Sequence, residues 1–582
     1  MGVLLRAICL LPLLFAPSFG FFNPFAPIFG GRFGDGIGGI FGNGSQQGAV
    51  PGDGNEFETL SIGEWELATD NAGVSAMHLV LLPNTNRAVM FDSTIFGPSK
   101  VALPKGRCRP IPESKKKEVD CWAHSVEYDL DSGEVRPILD LKTDTWCSSG
   151  GLMTDGTLVQ TGGWNDGGRA MRFLRTCDDC NWRENTVALT GQRWYATQQM
   201  LEDGSFVVVG GRRMFSYEFL PAEGKRNTKN IKLPFLQETS DVFENNLYPF
   251  VFLAPDGNLF MFANNRSILL DPHKNKILRE FPVMPGGSRN YPASGQAALL
   301  PIKLSPGSDD ITEEVLICGG ARNDANFYAE KNKVFLPALQ TCGRMEITAK
   351  DPTWAMEEMP TRRVMGDMLL LPTGDVLLIN GAQDGVSGWN LAEEPNFAPV
   401  LYRPAKQGID RFRVLKPSTI PRMYHSSSAV LPDGKILVAG SNTNSRYSYT
   451  GVEYPTELRV EKFSPPYLDP ALGVHRPEID EENAEKKVSY GQRFRVPFKL
   501  IEFGVDKEDV KVTMYSPPFT THGFSQNQRL VQLGMFDLFQ EIDGYNAVVE
   551  APPSGKVAPP GYYLMFVVYR GVPSPGIWVQ IK

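Results

Sequence analysis

Asp155-Gly156-Thr157-Leu158-Val159-Gln160-Thr161-Gly162-Gly163 reads as a tight turn, an apolar strand and a closing glycine pair. Asp-Gly supplies the positive φ that a two-residue hairpin demands. The residues after it form a continuous apolar run of strand length, as a strand buried on both faces does. The same grammar returns along the chain. Asp203-Gly204 leads to Gly210-Gly211, Asp256-Gly257 to Asn264-Asn265, Thr373-Gly374 to Asn380-Gly381, and Asp433-Gly434 to Ala439-Gly440. A degenerate copy without the turn ends at Cys318-Gly319-Gly320, and a weaker one runs from Met77 through Pro83-Asn84 to Phe91-Asp92. The seven copies are unevenly spaced, near the period of about 50 residues expected for kelch-type blades.

A single four-stranded blade cannot bury its own faces, whereas a closed ring of blades can. The repeat therefore predicts an all-β protein whose residues 58–459 form a seven-bladed kelch-type β-propeller. A β-sandwich array is the weaker alternative for seven spaced copies. Near Tyr454-Pro455 the repeat stops. Short alternating runs follow, at Val510 to Met514, Leu530 to Leu533, Ala547 to Ala551 and Tyr562 to Tyr569. Residues 460–582 are thus expected to form an immunoglobulin-like β-sandwich, with His522 on a loop between two strands that could reach another domain.

At the other end, Arg6 precedes a short apolar core from Ala7 to Ala16, and Ser18 and Gly20 are small. Residues 1–20 read as a secretory signal peptide, so the protein is expected outside the cell, in the wall or apoplast if the source is a plant. Residues 21–57 are rich in Gly and Phe without any period and read as a flexible leader. No run is long enough to span a bilayer, and a net charge of -8 argues against a nucleic-acid footprint, which would be basic. A monomer is expected.

An extracellular chain makes the cysteines informative. Removing Cys9 with the signal leaves seven. Local spacing pairs Cys108 with Cys121, Cys177 with Cys180, and Cys318 with Cys342. Zinc is the rival reading of Cys177-Asp178-Asp179-Cys180, but no second pair accompanies it. Cys147 is left over.

The remaining signal lies just ahead of the repeated strands. Asp144-Thr145-Trp146-Cys147-Ser148, Gly191-Gln192-Arg193-Trp194-Tyr195 and Pro421-Arg422-Met423-Tyr424-His425-Ser426 occupy the same place in three copies. In a propeller, equivalent positions of different blades converge on the central channel. Cys147, Tyr195, Tyr424 and His425 are therefore expected to meet. His522, in Phe519-Thr520-Thr521-His522-Gly523-Phe524, is the candidate to complete a metal site. Neighbouring side chains of a regular strand point apart, so Tyr424 and His425 share a partner only at a strand entrance or bulge. His78, His124, His273 and His475 lack such a partner stretch and read as structural. Asn43-Gly44-Ser45 and Asn265-Arg266-Ser267 fit the glycosylation signal of a glycoprotein.

At these stretches, and at Ala558-Pro559-Pro560-Gly561-Tyr562-Tyr563-Leu564-Met565-Phe566-Val567, the chain resembles the radical-copper oxidases: galactose oxidase and especially the glyoxal oxidases. The resemblance implies a thioether bond between Cys147 and the Tyr195 ring that carries a protein radical. It implies Tyr195, Tyr424, His425 and His522 as copper ligands, and Tyr424 as the base for the substrate's proton. It implies oxidation of simple aldehydes of the glyoxal or methylglyoxal type to carboxylic acids, with dioxygen reduced to hydrogen peroxide. One departure stands out. Galactose oxidase shields its cross-linked Tyr with a Trp soon after the glycine pair, where this chain has Arg212, Arg213 and Met214. Two alternatives stay open: an alcohol or sugar oxidase with the same copper-radical site, and a non-catalytic propeller that binds a wall polymer.

Overall fold

The computed structural model describes residues 50–51, 56–111, 116–308 and 310–582. The signal segment, most of the leader and Asn43-Gly44-Ser45 lie outside the described residues. Each of the seven turn-and-strand copies is the hairpin between the first and second strands of one antiparallel sheet. Ser149–Leu152, Leu158–Thr161, Met171–Leu174 and Arg183–Asn185 form one four-stranded blade. The next four blades begin with Ala196–Met200, Phe250–Leu253, Gln296–Leu299 and Asp367–Leu370. First strands of most adjacent blades touch one another, so they line the axis. The second strands, such as Phe206–Gly210 and Ile436–Gly440, are buried along their whole length, which is why they read as unbroken apolar runs.

The ring closes through its two ends. Glu64–Thr69 pairs antiparallel with Val460–Ser464, which continues the sheet of Ser426–Val430 and Ile436–Gly440. Val460–Ser464 is thus a propeller strand, although the sequence boundary after residue 459 places it with the terminal domain. The remaining blade, starting at His78–Leu81, is widened by a hairpin from the far end of the chain. Phe519–Thr521 pairs with His78–Leu81 and with Phe524–Gln526. This hairpin touches the first strands of five other blades, so it fills the channel. The sandwich that delivers it is welded to the ring, where Ile302–Lys303 adds a parallel strand beside Arg529–Gln532.

In four blades a buried arginine ties the entrance of the first strand to the sheet. Arg193 donates to Gly210 O at 2.8 Å, Arg289 to Gly319 O at 2.6 Å and Arg422 to Gly440 O at 2.8 Å. Arg363 donates likewise to Asn380 O. The accepting residues all have left-handed backbone, φ 64–73°. That conformation is cheapest for Gly, and a Cβ at Gly319 would lie 2.1 Å from Arg363 O. The strand-ending glycines of the repeat follow from this. Cys108–Cys121, Cys177–Cys180 and Cys318–Cys342 are disulfide-bonded, and Cys147 is free and buried.

Candidate active site

At the entrance to six first strands one residue takes left-handed backbone: Cys147 (φ 56°), Tyr195 (63°), Tyr248 (48°), Ser294 (40°), Met365 (51°) and His425 (64°). His522, at the tip of the channel hairpin, does the same at 49°. Such backbone costs roughly 1–2 kcal/mol per non-Gly residue and persists only where its surroundings impose it. Here neighbouring blades do so: Tyr195 N donates to Cys147 O at 3.0 Å, Tyr248 N to Tyr195 O at 3.0 Å and Met365 N to Ser294 O at 2.7 Å. The left-handed turn breaks strand alternation. Tyr424 and His425 can therefore share one site, their rings stacked 3.7 Å apart.

All five residues singled out in the sequence come together, each at most 5 % exposed. Cys147 Sγ lies 3.1 Å from His522 Nε2. One ligand atom each of Cys147, His425 and His522 falls within 4.8 Å of the others. The His425 and His522 rings are 4.7 Å apart, and the Tyr424 ring is 5.6 Å from His522. Cys147 and Tyr195 pack in one apolar cluster with Met77, Phe96 and Trp146.

Burial sets the charge state of every member. It pushes the Tyr195 and Tyr424 phenols well above the usual tyrosine range, and the Cys147 thiol well above the usual thiol range. It drives His425 and His522 well below the ordinary imidazole value, with neighbouring imidazoles adding to the effect. Two neutral imidazoles are in the ligating form. Both ring nitrogens of His425 are buried without a hydrogen-bond partner, an arrangement that costs free energy unless something else binds there. Nitrogen and oxygen donors together suit Cu(II), so the residues present fit a copper ion.

Three further residues belong to the site. Tyr291 OH bridges Tyr195 OH at 3.0 Å and Tyr424 OH at 2.9 Å. Its sequence signal is the spacing Arg289-x-Tyr291, which repeats Arg193-x-Tyr195 and Arg422-x-Tyr424. Tyr248 OH donates to Ser148 O at 2.8 Å, and its ring lies 5.1 Å from His522. His78 Nε2 lies 3.0 Å from Thr145 O and 3.3 Å from Ser148 Oγ, and so holds the turn that carries Cys147. It is structural, as expected, but structural for this site. The cover over Tyr195 comes from elsewhere than Arg212, Arg213 and Met214. The Trp194 ring is 4.6 Å away and the Tyr291 ring 4.4 Å. A cavity of about 520 Å³ opens from these phenols, walled by Trp146, Tyr291, Trp389 and Tyr424 and rimmed by Arg212 and Lys331.

Behind the Cys147 turn sits a polar knot. Ser93, Thr94 and the Trp146 amide donate to the Asp144 carboxylate. His124 is held between Asp92 Oδ1 at 3.1 Å and Asp120 Oδ2 at 2.8 Å. Burial alone would lower the His124 pKa, but hydrogen bonds to Asp120 and Asp92 raise it to about 9. Burial likewise pushes Asp92 up to about 7 against the pull of His124. Both shifts mean that the folded state holds protons the unfolded chain releases. The His124 contribution is complete below about pH 6.5 and lost as pH rises through about 9, on the order of 3 kcal/mol. The thermal midpoint should fall across that window, and the His124→Gln protein should show a flatter profile in calorimetry. An equal slope in both proteins would contradict the assignment. Asn265, the second glycosylation candidate, lies half-buried in the turn between Leu259–Ala263 and Arg266–Asp271.

Comparison with known proteins agrees with this geometry. Residues 77–467 match the family described as glyoxal oxidase N-terminus, and residues 476–581 match the galactose oxidase-like early set domain. The chain is 54% identical to "Aldehyde oxidase GLOX1" of Arabidopsis thaliana over 522 residues, covering 89% of this chain and 84% of that protein. It is 45% identical to "Aldehyde oxidase GLOX" of Vitis pseudoreticulata over 524 residues, covering 89% and 97%. A solved fungal alcohol oxidase in complex with copper is 17% identical and shares the fold. Its TM-score is 0.66, over 90% of this chain and 100% of that one.

Proposed function

The chain belongs to the glyoxal oxidase family, and from that premise we propose that it is a secreted copper-radical oxidase that converts simple aldehydes to carboxylic acids. The single observation that carries the reading is the convergence of Cys147, Tyr195, Tyr424, His425 and His522 from four distant stretches on one buried point. A binding scaffold has no need of that set.

In this reading Tyr195, Tyr424, His425 and His522 hold the copper. Cys147 Sγ is bonded to the Tyr195 ring, which carries the radical. Copper, when bound, supplies a one-electron acceptor to add to the radical, so no organic cofactor is required. Tyr424 takes the proton from a hydroxyl of the hydrated aldehyde, and the Tyr195 radical takes a hydrogen atom from its carbon. Tyr291, bridging the two phenols, gives the Tyr424 proton a hydrogen-bonded way out and keeps both rings in place. The aldehyde hydrate loses two electrons and two protons overall, and dioxygen takes them up as hydrogen peroxide. The aromatic walls of the cavity exclude bulk water from the radical. Glyoxal and methylglyoxal are the proposed substrate type. Export is supported by the signal-like residues 1–20 and by three disulfides, which persist in oxidising compartments.

Peroxide release by copper-loaded protein tests the activity. Glyoxal and methylglyoxal should give kcat/KM at least tenfold above galactose and primary alcohols. Faster turnover of alcohols or sugars would replace this reading with the alternative oxidase, and no peroxide from any of them would leave the scaffold.

A further inference from the structure

Four of the chain's nine tryptophans form one contact network against Tyr195. The Trp194 ring centroid is 4.6 Å from Tyr195, 4.1 Å from Trp164 and 5.1 Å from Trp146. Trp146 in turn stacks on Trp389 at 4.7 Å, with 9° between the ring planes. The network has two ends. Trp146 and Trp389 face the substrate cavity. Trp164, 36% exposed, lines a second cavity of about 690 Å³ together with Asp120, Asp166 and Arg446. The two cavities share no described residue.

The indole N–H groups carry a second, independent signal. Those of buried Trp182 and of half-buried Trp65 and Trp354 donate to oxygen acceptors at 2.7–2.9 Å, as indoles out of bulk water usually do. Those of Trp146 and Trp389 are buried with no hydrogen-bond partner among the described residues, and that of Trp194 faces only the weakly accepting sulfur of Cys147. An indole that loses an electron becomes a stronger acid, and an acceptor at its N–H would take the proton and trap the charge there. Without one, the positive hole stays mobile and passes to the next ring. The Arg212 guanidinium, 5.4 Å over the Trp194 ring, makes that ring an unfavourable place for the hole to rest. Its stable place is the Tyr195 ring, which is the easier to oxidise when it is sulfur-substituted.

We infer that Trp194 and Trp164 form a one-electron conduit between Tyr195 and the second cavity. It would let an outer-sphere oxidant generate the radical without entering the substrate cavity. The inference rests on the reading of Tyr195 and Cys147 as a thioether radical. Electrons balance simply: Tyr195, already deprotonated as a ligand, gives up one electron. That electron crosses Trp194 and Trp164, and the oxidant at Trp164 is reduced by one. No bond breaks, and no proton moves along the tryptophans.

Copper-loaded protein is mixed with tris(bipyridine)ruthenium(III) generated by flash photolysis, a one-electron oxidant bulky enough to stay outside the substrate cavity. Radical formation is followed by its optical absorption and by electron paramagnetic resonance. The Trp164→Phe protein should form the radical at least tenfold more slowly than wild type, and Trp164→Tyr, which keeps a redox-active ring, should recover most of the rate. Copper content, and aldehyde turnover per radical-containing molecule, should be unchanged in both. Equal radical-formation rates in wild type and Trp164→Phe would overturn the conduit while leaving the radical site standing. A wild-type protein that forms no radical and lacks the thioether would overturn the underlying reading, and the conduit with it.

Discussion

Replacing His522 with alanine should reduce the copper content of purified protein at least tenfold and abolish peroxide release from aldehydes, while the propeller stays folded. The expectation follows from how His522 is held. Its hairpin is anchored by backbone pairing of Phe519–Thr521 with His78–Leu81, not by the imidazole. Among the described residues, the imidazole itself makes two polar contacts, Thr521 Oγ1 at 2.6 Å and Cys147 Sγ at 3.1 Å. Truncating a buried side chain of this size costs a few kcal/mol at most in packing, spread over a welded two-domain body. Removing one of two imidazoles leaves His425 and two phenols, which at neutral pH bind copper only by giving up protons that burial makes hard to lose. Metal analysis and circular dichroism on the same sample check both halves. Full copper occupancy in the variant would remove His522 from the ligand set.

Cys147→Ser should fold, bind copper and lose roughly a thousandfold in kcat/KM, about 4 kcal/mol of barrier. Serine is nearly isosteric, and the left-handed turn at Cys147 is imposed by bonds to its backbone, such as that from Tyr195 N. All four proposed ligands remain. In the proposed radical site, what would disappear is the sulfur on the Tyr195 ring, and with it the low oxidation potential and the delocalisation that would keep a buried tyrosyl radical alive. The variant's copper content, its radical signal and its peroxide release separate these effects. Activity within threefold of wild type would mean that Cys147 is a packing residue.

The ring of blades was legible because its information is local. An Asp-Gly turn and the strand after it span fewer than a dozen residues, and seven copies leave little choice of architecture. Pairings between distant segments were not legible. Val460–Ser464 is a short stretch of mixed polarity that suits a strand in either domain, and its pairing with Ile436–Gly440 and with Glu64–Thr69, almost 400 residues earlier, assigns it to the ring. Cys147, Tyr195, Tyr424 and His425 were legible because unusual side chains stand at equivalent places in the repeat, whereas His522 lies outside the repeat and was legible as a histidine on a loop able to reach the channel. Tyr291 stands at the same place, but it precedes the degenerate copy that has no turn signal before its strand, so the frame that would have marked it was missing. Its Arg-x-Tyr spacing was the remaining clue. His78 has no partner stretch in the sequence because its main partner, Thr145 O, is a backbone carbonyl, which leaves no trace there. The resemblance points to a cover over Tyr195 after the glycine pair, but Trp194 supplies it from the adjacent position. A left-handed residue turns its neighbour's ring back over its own, and backbone handedness is not written in the residue letters.

The central claim is the covalent link, and peptide mass tests it directly. Trypsin cleaves after Lys142, Arg169, Arg193 and Arg212, placing Cys147 in the peptide 143–169 and Tyr195 in the peptide 194–212. Protein loaded with copper in air, then reduced and alkylated, should yield these two as one branched species. Its mass should be that of their sum less two hydrogens, and fragmentation should locate the bond between Cys147 and Tyr195. Active enzyme that instead releases the two peptides separately, with Cys147 alkylated, would contradict the thioether radical site.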